Sequence, residues 1–174
     1  MHPYTLCGIA VALGIVACRG ADSPRPGAKL TDPPPAPLTL TLTRLRSDSI
    51  AYALYSGVTT PQDLVIRDAA AWSALWALIH ATQRPVPPLP DVDFGQEMII
   101  AAALGTRSTG GYNVLLTQAT EDASAVHIQV VETSPGPDCV TTQALSQPID
   151  LARAPRRDAP VQFSIIQQVR HCGP

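Results

Sequence analysis

Residues 98–104, Met-Ile-Ile-Ala-Ala-Ala-Leu, form a seven-residue run without one polar side chain. A run that short suits a central strand buried on both faces better than a helix. Around it the chain alternates apolar and polar residues with a period of two, the pattern of half-buried strands. Leu38–Thr43 reads LTLTLT, Val126–Val131 alternates in the same way, and Tyr112–Leu116 is expected as the hairpin partner of the apolar run across the glycine-rich 105–111 break. Further strands are expected at Ile50–Tyr55, Leu64–Ile66, Cys139–Gln143, Ile149–Leu151 and Val161–Ile166, with Ser134–Pro137 as a turn. One segment has a helical period instead. Asp68 is placed to cap AAAWSALWALIHA, where Trp72, Leu75, Trp76 and Ile79 make one apolar stripe opposite Ser73 and Ala77. The prolines at 85, 87, 88 and 90 end that helix. The fold expected is α+β but mostly β: an antiparallel sheet or sandwich of about seven or eight strands with one amphipathic helix.

The first 37 residues have another character. Leu6–Ala17 is an uncharged apolar stretch, well short of the ~20 residues that cross a bilayer as a helix. It matches the core of a signal peptide. Its end, Ile15-Val16-Ala17-Cys18, resembles the lipobox of bacterial lipoproteins, in which cleavage leaves the cysteine thiol to take a diacylglycerol. The leader MHPYTLC departs from the usual pattern in carrying no Lys or Arg. Arg19–Pro37 is dense in proline with almost nothing to bury, which is the composition of an extended stalk at ~3.1 Å per residue. The organisation expected is a signal peptide over 1–17, a lipidated Cys18 and stalk over 18–37, and a single domain over 38–174. The resulting location is the cell envelope, lipid-anchored to a bacterial membrane, with the domain in the periplasm or at the cell surface.

Charge narrows the partners. The chain has 12 basic and 14 acidic residues, scattered, and only Lys29 is a lysine. No basic stripe faces a phosphate backbone, so nucleic acid is not an expected partner. Of four cysteines, Cys7 lies in the leader and Cys18 takes the lipid, which leaves Cys139 and Cys172. In an oxidising compartment they are expected to form a disulfide that pins the C-terminal end, worth roughly 3 to 4 kcal/mol by loop-closure entropy. A zinc site with His171 is the alternative, and it lacks a fourth ligand. No metal or cofactor is expected.

Enzymatic signals are weak. Ser108 in Gly105-Thr-Arg-Ser-Thr-Gly110 has one residue too many before it for a nucleophile elbow, and no helix should follow. A hydrolase using Ser108 is the alternative function. His80, His127 and His171 read as lone histidines, and Asp91 with Asp93 reads as a solvated loop face. No phosphate loop, dinucleotide fingerprint or HExxH occurs. The informative stretch is Arg107, Ser108, Thr109, Gly110, Gly111 and Tyr112, where two glycines permit positive φ and three polar side chains could meet a partner's main chain.

From Val92 to Arg153 the sequence resembles the PrcB C-terminal domain family. VDF, an apolar strand ending LG, then TRSTGGY, HIQVVETSPG and VTTQALSQP carry the resemblance, and SGVTTP and VIRDAAAWSALW look like an extension often seen upstream. The resemblance implies a non-enzymatic lipoprotein that binds or stabilises a protease, of the subtilisin type in the family's named member. Thr109-Gly-Gly-Tyr112 is also similar to the loop with which chagasin-like inhibitors enter a protease cleft. A purely structural envelope lipoprotein is the other alternative.

Overall fold

Every residue from Met98 to Leu104 is buried in the computed structural model, which describes residues 35–45 and 54–173. Nine elements account for the described chain: β1 (Leu38–Leu40), β2 (Thr43–Arg44), β3 (Gln62–Ile66), α1 (Ala69–Ile79), β4 (Glu97–Ala103), β5 (Asn113–Glu121), β6 (Val126–Pro135), β7 (Ile149–Pro155) and β8 (Val161–Arg170). They form two four-stranded sheets, β1-β5-β6-β8 and β2-β7-β4-β3. Among the described residues the fold is mostly β with α1 as its one full helix, as the alternation predicts.

The apolar run is explained by what lies on each side of β4. Met98, Ile100, Ala102 and Leu104 pack between the sheets with Val114, Leu116, Val126, Ile128 and Val130. Ile99, Ala101 and Ala103 face the other way, against Trp72, Leu75, Trp76 and Ile79 of α1. Alternate side chains therefore enter two different cores, so no position of the strand can be polar. The small alanines leave room for the two indoles, whose N–H groups donate to the Pro90 and Pro87 carbonyls at 3.0 Å each. The proline segment thus lies along the helix it ends, and both tryptophans are core residues. Asp68 caps the helix by accepting from the Ala71 N–H at 2.8 Å. Truncating Trp72 to alanine would cost about 3 to 5 kcal/mol.

Four strand expectations are corrected. The LTLTLT stretch is not one strand: β1 pairs with β5 in one sheet and β2 with β7 in the other. Tyr112–Leu116 is no hairpin partner of the apolar run, because β5 belongs to the opposite sheet and the 105–112 loop crosses between them. Residues 139–143 form no strand; they are loop. Nor are all strand pairs antiparallel, since β6 and β8 run parallel. A parallel pair needs a crossover, and β7 in the other sheet supplies it. The expected strand Ile50–Tyr55 falls largely outside the described residues; at its end Tyr55 forms an isolated bridge with Gln147. The leader, Cys18 and the stalk as far as Pro34 also lie outside them. Among the described residues no helix is long and apolar enough to cross a membrane.

One polar pair locks the two sheets together. The register of β5 against β6 shifts between Leu116 and Gln118, which lets both Leu116 and Ala119 point inward despite their odd spacing. Asp150 on β7 accepts from the Leu116 N–H at 2.8 Å, and Arg44 on β2 donates to the Leu116 carbonyl at 2.8 Å. Arg44 and Asp150 are themselves 3.1 Å apart. The ion pair satisfies both backbone groups of Leu116, the residue beside the bulge.

Candidate functional site

Three loops meet at one end of the domain. The 105–112 loop leaves β4 at Gly105, whose φ of 69° no branched side chain tolerates and whose missing Cβ leaves space for Pro61. Thr106 N–H then donates to Thr59, and Arg107 and Ser146 exchange backbone bonds of 2.8 and 3.0 Å. The buried Ser146 hydroxyl donates to the Thr109 carbonyl at 2.8 Å, and Gly110 N–H donates to Thr142 at 3.0 Å. Gly111 adopts φ 88° against Pro135 and Thr141. The third segment is tied in by Gln147, which accepts from Ser56 and Gly57 and donates to Leu54. Residues 54–59, 105–112 and 139–147 are therefore one hydrogen-bonded knot.

Within it the six expected contact residues have different fates. Gly110 and Gly111 serve geometry, since a Cβ on Gly110 would collide with the Thr142 hydroxyl. Thr109 is tied to Gly110 and Ser146. Tyr112 is half-buried and packs against the inter-sheet core, with the Arg107 guanidinium 5.6 Å from its ring centroid. The Arg107 Nε is buried and makes no hydrogen bond among the described residues. Of the six, Ser108 alone is exposed. The knot also exposes apolar side chains: Tyr55 at 48%, Leu145 at 61% and Val140 at 100%.

Beside the knot is an open cleft of about 470 Å³, lined by Arg107, Tyr112, Glu132, Thr133, Ser134 and the Gln167–Val169 stretch of β8. Its far wall is the end of the β6–β8 pair that runs on past the core. Glu132 lies opposite Gln167 and Ser134 opposite Val169, in phase with the inward Val126, Ile128 and Val130. Burial, and secondarily the Glu132 charge, pushes the Asp63 carboxyl up from its ordinary range. The cleft is thus an amphipathic slot with one arginine and one acid.

Cys139 and Cys172 are joined in a disulfide with Cα atoms 4.9 Å apart. Cys139 opens the very segment whose Thr141 and Thr142 contact Gly111 and Gly110, so the bond is tied to the 105–112 loop as well as to the C-terminal end. Asp138 holds the other end by accepting from the Cys172 and Gly173 N–H groups at 2.6 and 2.7 Å.

The histidines are also not lone. His127 Nε2 is 2.8 Å from Asp122, His171 Nδ1 is 3.5 Å from Asp138, and buried His80 bonds Gln83 at 2.8 Å. None of these contacts involves Ser108. Asp93 caps a turn by accepting from the Gly95 N–H and the Gln96 amide, while Asp91 offers only its carbonyl, to Arg153. A second polar cleft of about 440 Å³ is lined by Thr41, Thr43, Asp93, Gln96, Glu97 and Arg153, with Arg153 and Glu97 3.5 Å apart in its wall. Among the described residues no His, Cys, Asp or Glu cluster could hold a metal. Sequence reading missed Tyr55, Glu132, Val140, Leu145 and the β8 wall. An isolated apolar residue among Thr and Gln, such as Val140, was the one signal available.

The class defined by this fold and site is a small, two-sheet β domain with a helix on one face and a loop-built tip. Residues 98–155 match the family described as PrcB C-terminal. The match runs from β4 through the 105–112 loop, β5 and β6 to β7, and it includes the LGTRSTGGY stretch that carried the resemblance. No curated protein and no solved structure matches the chain.

Proposed function

We propose that this chain is a lipid-anchored extracytoplasmic lipoprotein whose domain binds a protein partner, an exported protease, through the knot and its cleft. One observation carries the reading: Tyr55, Val140 and Leu145 are exposed on loops whose backbone is already fixed by hydrogen bonds and by Gly105 and Gly111. Apolar groups held in place before contact lose little ordering entropy on binding, and covering them is favourable. The match to the PrcB C-terminal family supports a protease as the partner. The Ile15–Cys18 lipobox spacing and the stalk behind it support the anchor, where two or three acyl chains at ~0.8 kcal/mol per buried methylene hold stably.

The test is capture from solubilised envelope, with retained material labelled by a fluorophosphonate probe for active serine proteases. Wild type retains a labelled protease, and Val140→Asp retains roughly tenfold less, the effect of placing a charge at a buried contact. Equal recovery by both, or retention of no protease, overturns the reading. Palmitate labels wild type and not Cys18→Ala; a labelled Cys18→Ala removes the anchor from it.

A further inference from the structure

Most arginines of this domain are matched by an acceptor. Arg44, Arg153, Arg156 and Arg157 each have a carboxylate at 2.6 to 3.5 Å, and Arg67 and Arg84 donate to backbone carbonyls. Arg107 differs: among the described residues its guanidinium makes no hydrogen bond or ion pair, and its Nε is buried. It is nevertheless held in place. Its backbone exchanges two hydrogen bonds with Ser146, and the guanidinium lies 5.6 Å from the Tyr112 ring centroid. With Nε enclosed, the donors left to the neighbouring cleft are those on Nη1 and Nη2. A cation that is partly desolvated, fixed and uncompensated is costly, and an anion beside it offsets the cost.

We propose that the cleft is a peptide-carboxylate site, in which Arg107 takes the carboxylate through its two Nη atoms and Glu132 accepts from an N–H or ammonium group of the same peptide. The cleft, at about 470 Å³, has the size of a ligand site. Among the described residues that line it, Arg107 is the one cation and Glu132 the one acid. That balance selects the anion. A dianion such as phosphate meets a single cation and is repelled by Glu132, whereas one carboxylate matches one guanidinium with two parallel hydrogen bonds. A peptide behind the carboxylate also brings N–H donors for Glu132 and for the side-chain carbonyl of Gln167. The carboxylate is that of a chain end or of an acidic side chain, which present the same two oxygens. The inference deepens the docking reading and rests on it for the source of the peptide, which is the partner.

The test uses the purified full chain in detergent, with no protease present, and NMR titration as the readout. The probes are acetyl-Ala-Lys-Ala as the free acid, the same peptide as its amide, acetyl-Ala-Lys-Asp amide, and inorganic phosphate. The free acid, the Asp peptide or both shift the Arg107 Nε–H and the Glu132 amide saturably, and the Ala amide does not. The stronger of the two acids identifies chain end or side chain as the source. Arg107→Lys keeps the charge, loses the fork and binds roughly tenfold more weakly, with unchanged thermal melting. Glu132→Gln removes the repulsion and binds phosphate roughly fivefold more tightly than wild type does. Equal response to acid and amide, phosphate binding wild type as tightly as the acids, or Arg107→Lys matching wild type overturns the proposal. Protease capture separates it from the docking reading. Loss of the protease in Val140→Asp with Arg107 unmoved by either acid leaves the knot as a dock and removes the carboxylate site. Acids that bind while wild type retains no protease leave the site standing and remove the protease.

Discussion

Asp63 near the start of β3 is partly desolvated and Asp122 after β5 is exposed, and their surroundings push their carboxyls in opposite directions. For Asp122 the Ser124 hydroxyl and N–H, then the Ala125 N–H and His127, hold the carboxyl well below its usual range. Its contribution to stability is therefore present above the unfolded carboxylate range near ~3.9 and is lost as pH falls through the lower folded value. For Asp63 the folded value is raised, so ionisation opposes folding and stability falls as pH climbs through that value. Denaturation midpoints should register both signs. At pH 7 Asp122→Ala lowers the midpoint and Asp63→Asn raises it, and at strongly acid pH, where the carboxyls are protonated, both differences shrink. Equal shifts at both pH values would show that the carboxyl charges are not responsible. The Asp122 turn is legible in sequence, because Asp followed by serine two residues later is an Asx-turn signature. The approach of Glu132 to Asp63 is not, because it depends on which sheets face each other.

At the scale of elements, periodicity located most of the strands and the helix but not their partners. LTLTLT divides between two sheets because a pattern of two specifies a wet and a dry face, and any sheet offers those. Tyr112 and β5 read as a hairpin arm for the same reason; the 105–112 loop is long enough to change sheets, and that freedom leaves no local mark. The disulfide acts at this level too. It ties the end of β8 to the start of the 139–147 segment, across a separation of 33 residues. Loop-closure entropy gives about 3 to 4 kcal/mol for such a loop. Replacing both cysteines with alanine should lower unfolding free energy by that amount in urea. It should also speed amide exchange at Gly110, whose N–H bonds Thr142. Exchange at Gly110 unaffected by loss of the bond would separate the disulfide from the knot.

Across the whole molecule, the candidate site was half legible. Glycines and a tyrosine between two apolar strands marked the 105–112 loop, since only a demanding backbone path needs Gly110 and Gly111 side by side. The partners of that loop were hidden: Ser146 and Thr142 support it from a segment that reads as a weak strand, and β8 forms the far wall of the cleft only because the chain crosses over through β7. The central claim is that this knot is where a partner docks. The direct measurement is photocross-linking in whole cells with a benzophenone amino acid at Val140, and at Ala77 on the exposed face of α1 as the control. A discrete cross-linked protease at position 140 that is missing at position 77 is the predicted result. The same products at both positions, or none at 140, would contradict it.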